Sequence, residues 1–174
     1  MPKIIENIRE KLIEEAKKQV LEQGYSAMTI RSVATACGVG VGTVYNYFSS
    51  KDMLVASFML EDWLHCQEII TEGCENASCA QDALHCMYIQ LKAFEQKYTG
   101  LFTDDGAKAG FSSSSKQRHE ILRTQLAKPL LNWTAKQDKV DSEFLADFIA
   151  ESMLNLTMAD VEFAKISSVL LQLL

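Results

Sequence analysis

Apolar residues recur at helical spacing along almost the whole chain, with charged and polar residues filling the other faces. Ile5, Ile8, Leu12, Ala16, Val20 and Leu21 form one stripe, which predicts an amphipathic helix from Pro2 to Gln23 ended by Gly24. Ile30, Val33, Ala34 and Cys37 follow at i, i+3, i+4 and i+7 and predict a second, short helix. Thr29 stands ahead of it as a cap and Gly38 behind it as the left-handed stop. A third helix, Val41 to Asn46, has Val44 and Phe48 as core anchors. Its glycines, 40 and 42, each cost about 1 kcal/mol of helix propensity, so packing has to hold it.

Ser49 to Asp52 has the Ser-x-x-Asp form of a helix start, and a long helix is expected from there to Glu72, apolar on most sides. Ala80 to Tyr98 reads as the next helix, on Ala80, Leu84, Met87, Leu91, Phe94 and Tyr98. Gly100 to Ser115 is polar and expected to be a mobile connection, anchored by Leu101, Phe102 and Phe111. Lys116 to Ala135 is expected to be helical and bent or interrupted by Pro129. Two last helices are expected over Ser142 to Leu156 and Met158 to Leu173. No alternating run of strand type stands out, so the fold class is all-α.

The stretch from Thr29 to Lys51 is two short helices across a tight turn, then an aromatic plug, then a capped helix start. That is a helix-turn-helix, whose second helix can lie in the DNA major groove. Gly38-Val39-Gly40-Val41-Gly42-Thr43-Val44-Tyr45-Asn46-Tyr47-Phe48, followed by Ser50-Lys51-Asp52, resembles the signature of TetR/AcrR-type (tetracycline-repressor) transcriptional regulators. Leu12-Ile13-Glu14 with Ala16, and Gly24-Tyr25 before Thr29-Ile30, fall where that family has its first helix and its end. The chain departs from the pattern at Gly40, where a Ser cap is common, at Val41, where a Lys or polar residue is common, and at Asn46, where a His is common.

The resemblance implies a three-helix DNA-binding domain over residues 1–50 and a helical effector-binding and dimerisation domain over 51–174. It implies a homodimeric repressor on a palindromic double-stranded operator, released by a small-molecule effector. Its dimer interface would use the last two helices, with Leu170 and Leu173 as candidates. On residue chemistry, Val41 can meet a thymine methyl and Thr43 a base edge, while Gly42 lets the backbone come close. Tyr45, Asn46, Tyr47, Arg31, Thr29 and Lys51 complete the candidate DNA contacts. Lys3, Arg9 and Lys11 are candidates for the phosphate backbone or plain solvated surface.

The net charge of −6 looks wrong for a partner of DNA until it is divided. Through Asp52 the chain carries +1 and beyond it −7, so the acidity belongs to the second part. No apolar run approaches membrane-spanning length and no signal-peptide core opens the chain, so a cytoplasmic protein with no membrane partner is expected.

Phe58, Met59, Trp63, Met87, Phe94, Phe102, Leu126 and Trp133 are candidates to line an effector pocket, or else simply form core. Asp62-Trp63-Leu64-His65-Cys66 and Asp82-Ala83-Leu84-His85-Cys86 repeat a carboxylate-x-x-His-Cys pattern on consecutive helices. His65 and His85 with these cysteines would suit a metal sensor, although neighbouring His and Cys point about 100° apart on a helix, and Cys74 or Cys79 would suit a redox switch; the plain alternative is that Cys37, Cys66 and Cys86 are small buried residues. No cofactor is expected. No glycine-rich phosphate loop, nucleophile elbow or nucleophile–base pair is evident, so an enzyme is not expected. A helical adaptor without DNA binding is the remaining alternative.

Overall fold

The computed structural model describes residues 7–111, 115–135 and 141–174, and among them all regular structure is helical. Ten α-helices are found there: α1 (Ile8–Gln23), α2 (Ile30–Ala36), α3 (Val41–Tyr47), α4 (Lys51–Asn76), α5 (Ala80–Thr103), α6 (Asp105–Phe111), α7 (Ser115–Ala127), α8 (Leu131–Thr134), α9 (Ser142–Met158) and α10 (Phe163–Leu170). A 3-10 turn, Lys128–Leu130, lies between α7 and α8 and contains Pro129. The missing amide of that proline interrupts the helix as the sequence predicts. Lys3, Ile5 and the serines at 112–114 lie outside the described residues.

Packing divides the chain into two compact units, one of residues 1–62 with 97–113, the other of 63–96 with 114–174. This differs from the single boundary expected after residue 50, because α4 and α5 each supply residues to both units. In the first unit α1 packs on α2 and α2 on α3. Its buried side chains include Leu12, Ile13 and Ala16 of α1, Val33 and Ala34 of α2, Val44 of α3, and Leu54, Val55 and Phe58 of α4. The second unit buries Trp63, Ile70, Leu84, Met87, Leu91, Leu126, Leu130, Ile149, Met153, Ile166 and Leu170 in one cluster.

Three expectations change. As far as Phe111 the polar stretch after Gly100 is helical: α5 runs on to Thr103 because Tyr98 and Leu101 are buried, and α6 follows. Asp104 caps α6 by accepting from the Ala107 amide at 3.0 Å. The last helix is shorter than expected, because Asp160 adopts a left-handed φ of 59° and ends α9. Asp160 N–H donates to the Thr157 carbonyl and Val161 N–H to the Leu156 carbonyl, both at 3.0 Å, which closes the helix. Finally, Leu170 is only 2% exposed and belongs to the core of its own unit, so it is not surface for a partner. Val169 and Leu173 of the same segment are exposed.

Candidate nucleic-acid interface

The helix-turn-helix is assembled by local backbone chemistry. Thr29 Oγ1 accepts from the Ser32 amide at 3.0 Å, and Ser32 Oγ accepts from the Thr29 amide at 3.1 Å. Two of the free amides at the start of α2 are thus satisfied reciprocally. Ser32 Oγ also lies 2.6 Å from Gln19 Oε1, tying α2 to the buried Gln19 of α1. Neither Ser32 nor Gln19 stands out in the sequence; a serine at the third helical position replaces the usual Glu or Gln of such a box. At the other end Gly38, with φ of 67°, donates to the Thr35 carbonyl, and Val39 donates to the Ala34 carbonyl. That pair of bonds turns the chain toward α3, and only glycine takes the conformation without strain.

α3 presents two different faces. Val44 is buried and Phe48, just after the helix, is buried with it. Gly42, Tyr45, Asn46 and Tyr47 are exposed, and Val41 and Thr43 are half-buried. Tyr45 and Tyr47 are 53% and 47% exposed, more than a role in packing requires. The structure therefore places six of the sequence candidates on one short helix, around a single inward anchor. Arg31 is exposed on α2. Thr29 is exposed too, and because its hydroxyl only accepts in the capping bond, its proton remains a donor.

Lys51 is placed differently from the others. Its Nζ donates to the Tyr25 carbonyl at 2.5 Å and lies 3.9 Å from the centre of the Tyr25 ring. Desolvation lowers its pKa despite the neighbouring Asp104 and Asp52 carboxylates. Held there by one of its three N–H donors, Lys51 lies at the start of α4 rather than on the face of α3. Tyr25 hydroxyl in turn donates to Asp52, and burial together with that bond raises its pKa. The cap of α4 is Ser50, whose Oγ accepts from the Met53 amide at 3.1 Å, rather than Ser49. Tyr25, Lys51 and Asp52 thus brace the start of α4 against the loop before α2.

Residues 12–58 match the family model described as bacterial regulatory proteins, tetR family. This part of the chain is similar to the DNA-binding part of TetR-family regulators. It is 31% identical over 71 residues to the HTH-type transcriptional repressor DhaR of Mycobacterium sp. (strain GP1), covering 41% of this chain and 36% of that protein. It is 41% identical over 51 residues to the HTH-type transcriptional regulator HbdR of Aromatoleum sp. (strain CIB), covering 29% of this chain and 22% of that one. The matched part thus spans about a third or less of these curated relatives. The fold as a whole is like that of a TetR-family transcriptional regulator from Pectobacterium atrosepticum (TM-score 0.72, 18% identity, 95% of this chain and 91% of the other). It is also like GusR of Salmonella enterica (TM-score 0.67, 18% identity, 98% of both chains).

The candidates for an effector pocket are spread over the two units. Phe58 and Tyr98 stack at 6.1 Å in the first, where Met59 and Phe102 are half-buried. In the second, Trp63 meets Phe94 edge-on at 5.5 Å and donates to Gln125 Oε1 at 2.6 Å. Trp133 donates to the Cys74 carbonyl at 3.3 Å, and Met87 and Leu126 are fully buried. These five pack as core. Two open surface crevices of the second unit, one beside Leu64, Gln67 and Thr71, the other beside Gln117, Ile121 and Gln125, use none of the eight candidates.

The carboxylates and histidines of the repeated carboxylate-x-x-His-Cys pattern do not converge. Asp62 is held by Lys17, Lys97 and the Tyr98 hydroxyl. His65 points to Glu68 at 3.7 Å, whereas His85 lies against the Phe163 ring. Among the described residues no three His, Cys, Asp or Glu side chains are grouped as metal ligands. Burial pushes the Cys66 thiol up to about 11 and the Cys74 thiol up to about 12, and raises Cys86 as well. Such thiols are protonated at neutral pH and poor nucleophiles. Among the described residues no helix is long and apolar enough to cross a membrane.

Proposed function

We propose that this chain is a homodimeric transcriptional repressor that grips a palindromic double-stranded operator with two copies of α3. The observation that carries this is the exposed Gly42, Tyr45, Asn46 and Tyr47, with half-buried Thr43 beside them, on a helix of low propensity anchored through buried Val44 and Phe48. A glycine inside the helix and an exposed aromatic pair are poor choices for an isolated surface helix and good ones for a helix that lies against DNA. Thr43 meets base edges, and the Tyr45, Tyr47 and Thr29 hydroxyls and Arg31 meet phosphates. The names of DhaR and of the other repressors matched by this stretch support the same role.

The second copy is drawn to the last two helices. Phe144 (64% exposed) and Phe148 lie one turn apart on α9, and Val169 (60%) and Leu173 one turn apart at the end of the chain. α9 and α10 pack on each other, and exposed aromatic side chains at this density mark an interaction surface. A twofold pair would present its recognition helices about 34–36 Å apart along the duplex. Effector release extends the proposal: with Trp63, Met87 and Phe94 packed as core, an organic effector enters by displacing them rather than by filling a ready cavity.

Binding of fluorescent operator duplexes, first selected from a random pool, tests the central point. Thr43→Ala and Tyr47→Ala are expected to weaken binding at least tenfold, in line with about 1–3 kcal/mol per lost contact, while helical content and oligomeric state stay as they were. Variants that bind as tightly as the parent would place the interface elsewhere.

A further inference from the structure

The side chains that α3 turns outward form a restricted chemical vocabulary. With Val44 as the inward direction, the 100° advance per residue puts Gly42 and Asn46 nearest the outward pole. Thr43 and Tyr45 flank them, and Val41 and Tyr47 stand at the margins, where Tyr47, at the helix end, is nevertheless exposed and Val41 is half-buried. From Val41 to Tyr47 there is no Arg, Lys, His, Gln, Asp or Glu. In the major groove Arg and Lys read guanine, Asp and Glu accept from cytosine, Asn and Gln pair with adenine, and methyl groups pack on the thymine C5-methyl. Of these, α3 holds only the last two kinds, in Asn46 and in the methyls of Val41 and Thr43, while the Thr43 hydroxyl can meet any base.

Three cations elsewhere in the first unit are already engaged. Arg9 Nη1 lies 3.5 Å from Glu61, Lys17 Nζ 2.5 Å from Asp62, and Lys51 is bound to the Tyr25 carbonyl. Arg31 is on α2, the helix that crosses the phosphate backbone in this motif instead of entering the groove.

Gly42 supplies an independent observation. A Cβ built there would meet no protein atom within 4 Å, and its φ is not one that favours glycine, so nothing inside the chain calls for glycine at this position. Asn, Thr and Val are short, and reach base edges only from a helix that lies close to them. Gly42 is one turn before Asn46 on the same face and removes the side chain that would hold the helix away. We infer that α3 reads A·T base pairs at close approach. Asn46 bonds the N6/N7 edge of an adenine, the Val41 and Thr43 methyls pack on thymine methyls, and Gly42 sets the depth. This rests on the operator binding proposed above and goes on to name the bases it recognises.

The test uses the full chain and a pool of random duplexes, followed by anisotropy titration of the selected duplex. The selected half-site is expected to contain A·T pairs whose thymines, replaced by deoxyuracil, weaken binding several-fold by loss of the C5-methyl alone. Asn46→Ala, at an exposed position, is expected to lose about tenfold on that duplex and to accept other bases in place of one adenine. Half-sites read at guanine would overturn the inference while leaving operator binding in place. So would deoxyuracil duplexes bound within about twofold of the parent, or Asn46→Ala with its base preference intact. Selection of no duplex at all would defeat operator binding, and the base assignment with it.

Discussion

Single residues here divide into those the fold requires and those it merely tolerates. Gly38 is required, because its backbone has a φ of 67°. Gly42 is tolerated, because its surroundings are open. Gly42→Ala is therefore expected to stabilise α3 by about 0.5–1 kcal/mol and to weaken binding to the selected operator; thermal melting and titration of one preparation measure both. A variant that is more stable and binds equally well would remove the close-approach role of this glycine. Asp62 is required in another sense. Burial pushes its carboxyl up, but hydrogen bonds from Lys17, Lys97 and Tyr98 outweigh this and hold it below the ordinary carboxylate range. Its contribution is therefore present above about pH 4, the unfolded value, and is lost as the pH falls through the lower native one. Asp62→Asn is expected to cost about 1–2 kcal/mol at pH 7, given the partial exposure of its partners. The variant should also lose less stability than the parent between pH 4 and pH 2, as followed by urea melts. Equal acid sensitivity in the two proteins would show that Asp62 is not ion-paired in solution. The sequence does not disclose this cluster, because the pattern that drew attention to Asp62 pairs it with His65, whereas its actual partners come from α1 and α5.

At the scale of elements, the two short helices of the helix-turn-helix were the most legible. Thr29, Gly38 and the stripe of Ile30, Val33 and Ala34 define α2 to within a residue, since cap, stop and stripe all agree. α5 outruns its predicted end because Gly100 tolerates the helix and Leu101 is buried, which a local scan for glycine and serine misreads as a break. The hairpin of α4 and α5 contains one close approach that no pattern foretells. A Cβ at Gly73 would lie 2.2 Å from Cys86 Sγ and 3.1 Å from its Cβ, so the thiol fills the space that glycine leaves. Gly73→Ala is expected to be destabilising by about 1–3 kcal/mol from overpacking, against about 1 kcal/mol of helix propensity gained. Adding Cys86→Ala removes the sulfur and should restore part of the loss. Chemical denaturation of the two single variants and the double variant reads the coupling; simple additivity would mean the two residues do not touch.

For the whole molecule, the open question is what the acidic, larger part of the chain does for a nearly neutral reading head. Its apolar surface was expected from the run at the end of the chain, but the face is set by Phe144 and Phe148 as much as by that run, and Leu170 turns inward. The distinction needs three dimensions, since at one helical position a leucine and a valine are equally apolar and only packing says which is covered. Phe144→Glu with Phe148→Glu is expected to give a folded monomer by sedimentation velocity, because both side chains are exposed. A dimer that persists would put its interface on another surface.

The measurement that bears most directly on the account is the stoichiometry of the full chain on its selected duplex, by titration at a protein concentration well above Kd. Two chains per duplex are predicted, with binding lost in Thr43→Ala and Tyr47→Ala and greatly weakened in the Phe144→Glu, Phe148→Glu protein. Saturation by one chain, or a purified dimer that selects no duplex, would contradict a twofold repressor that grips DNA with α3.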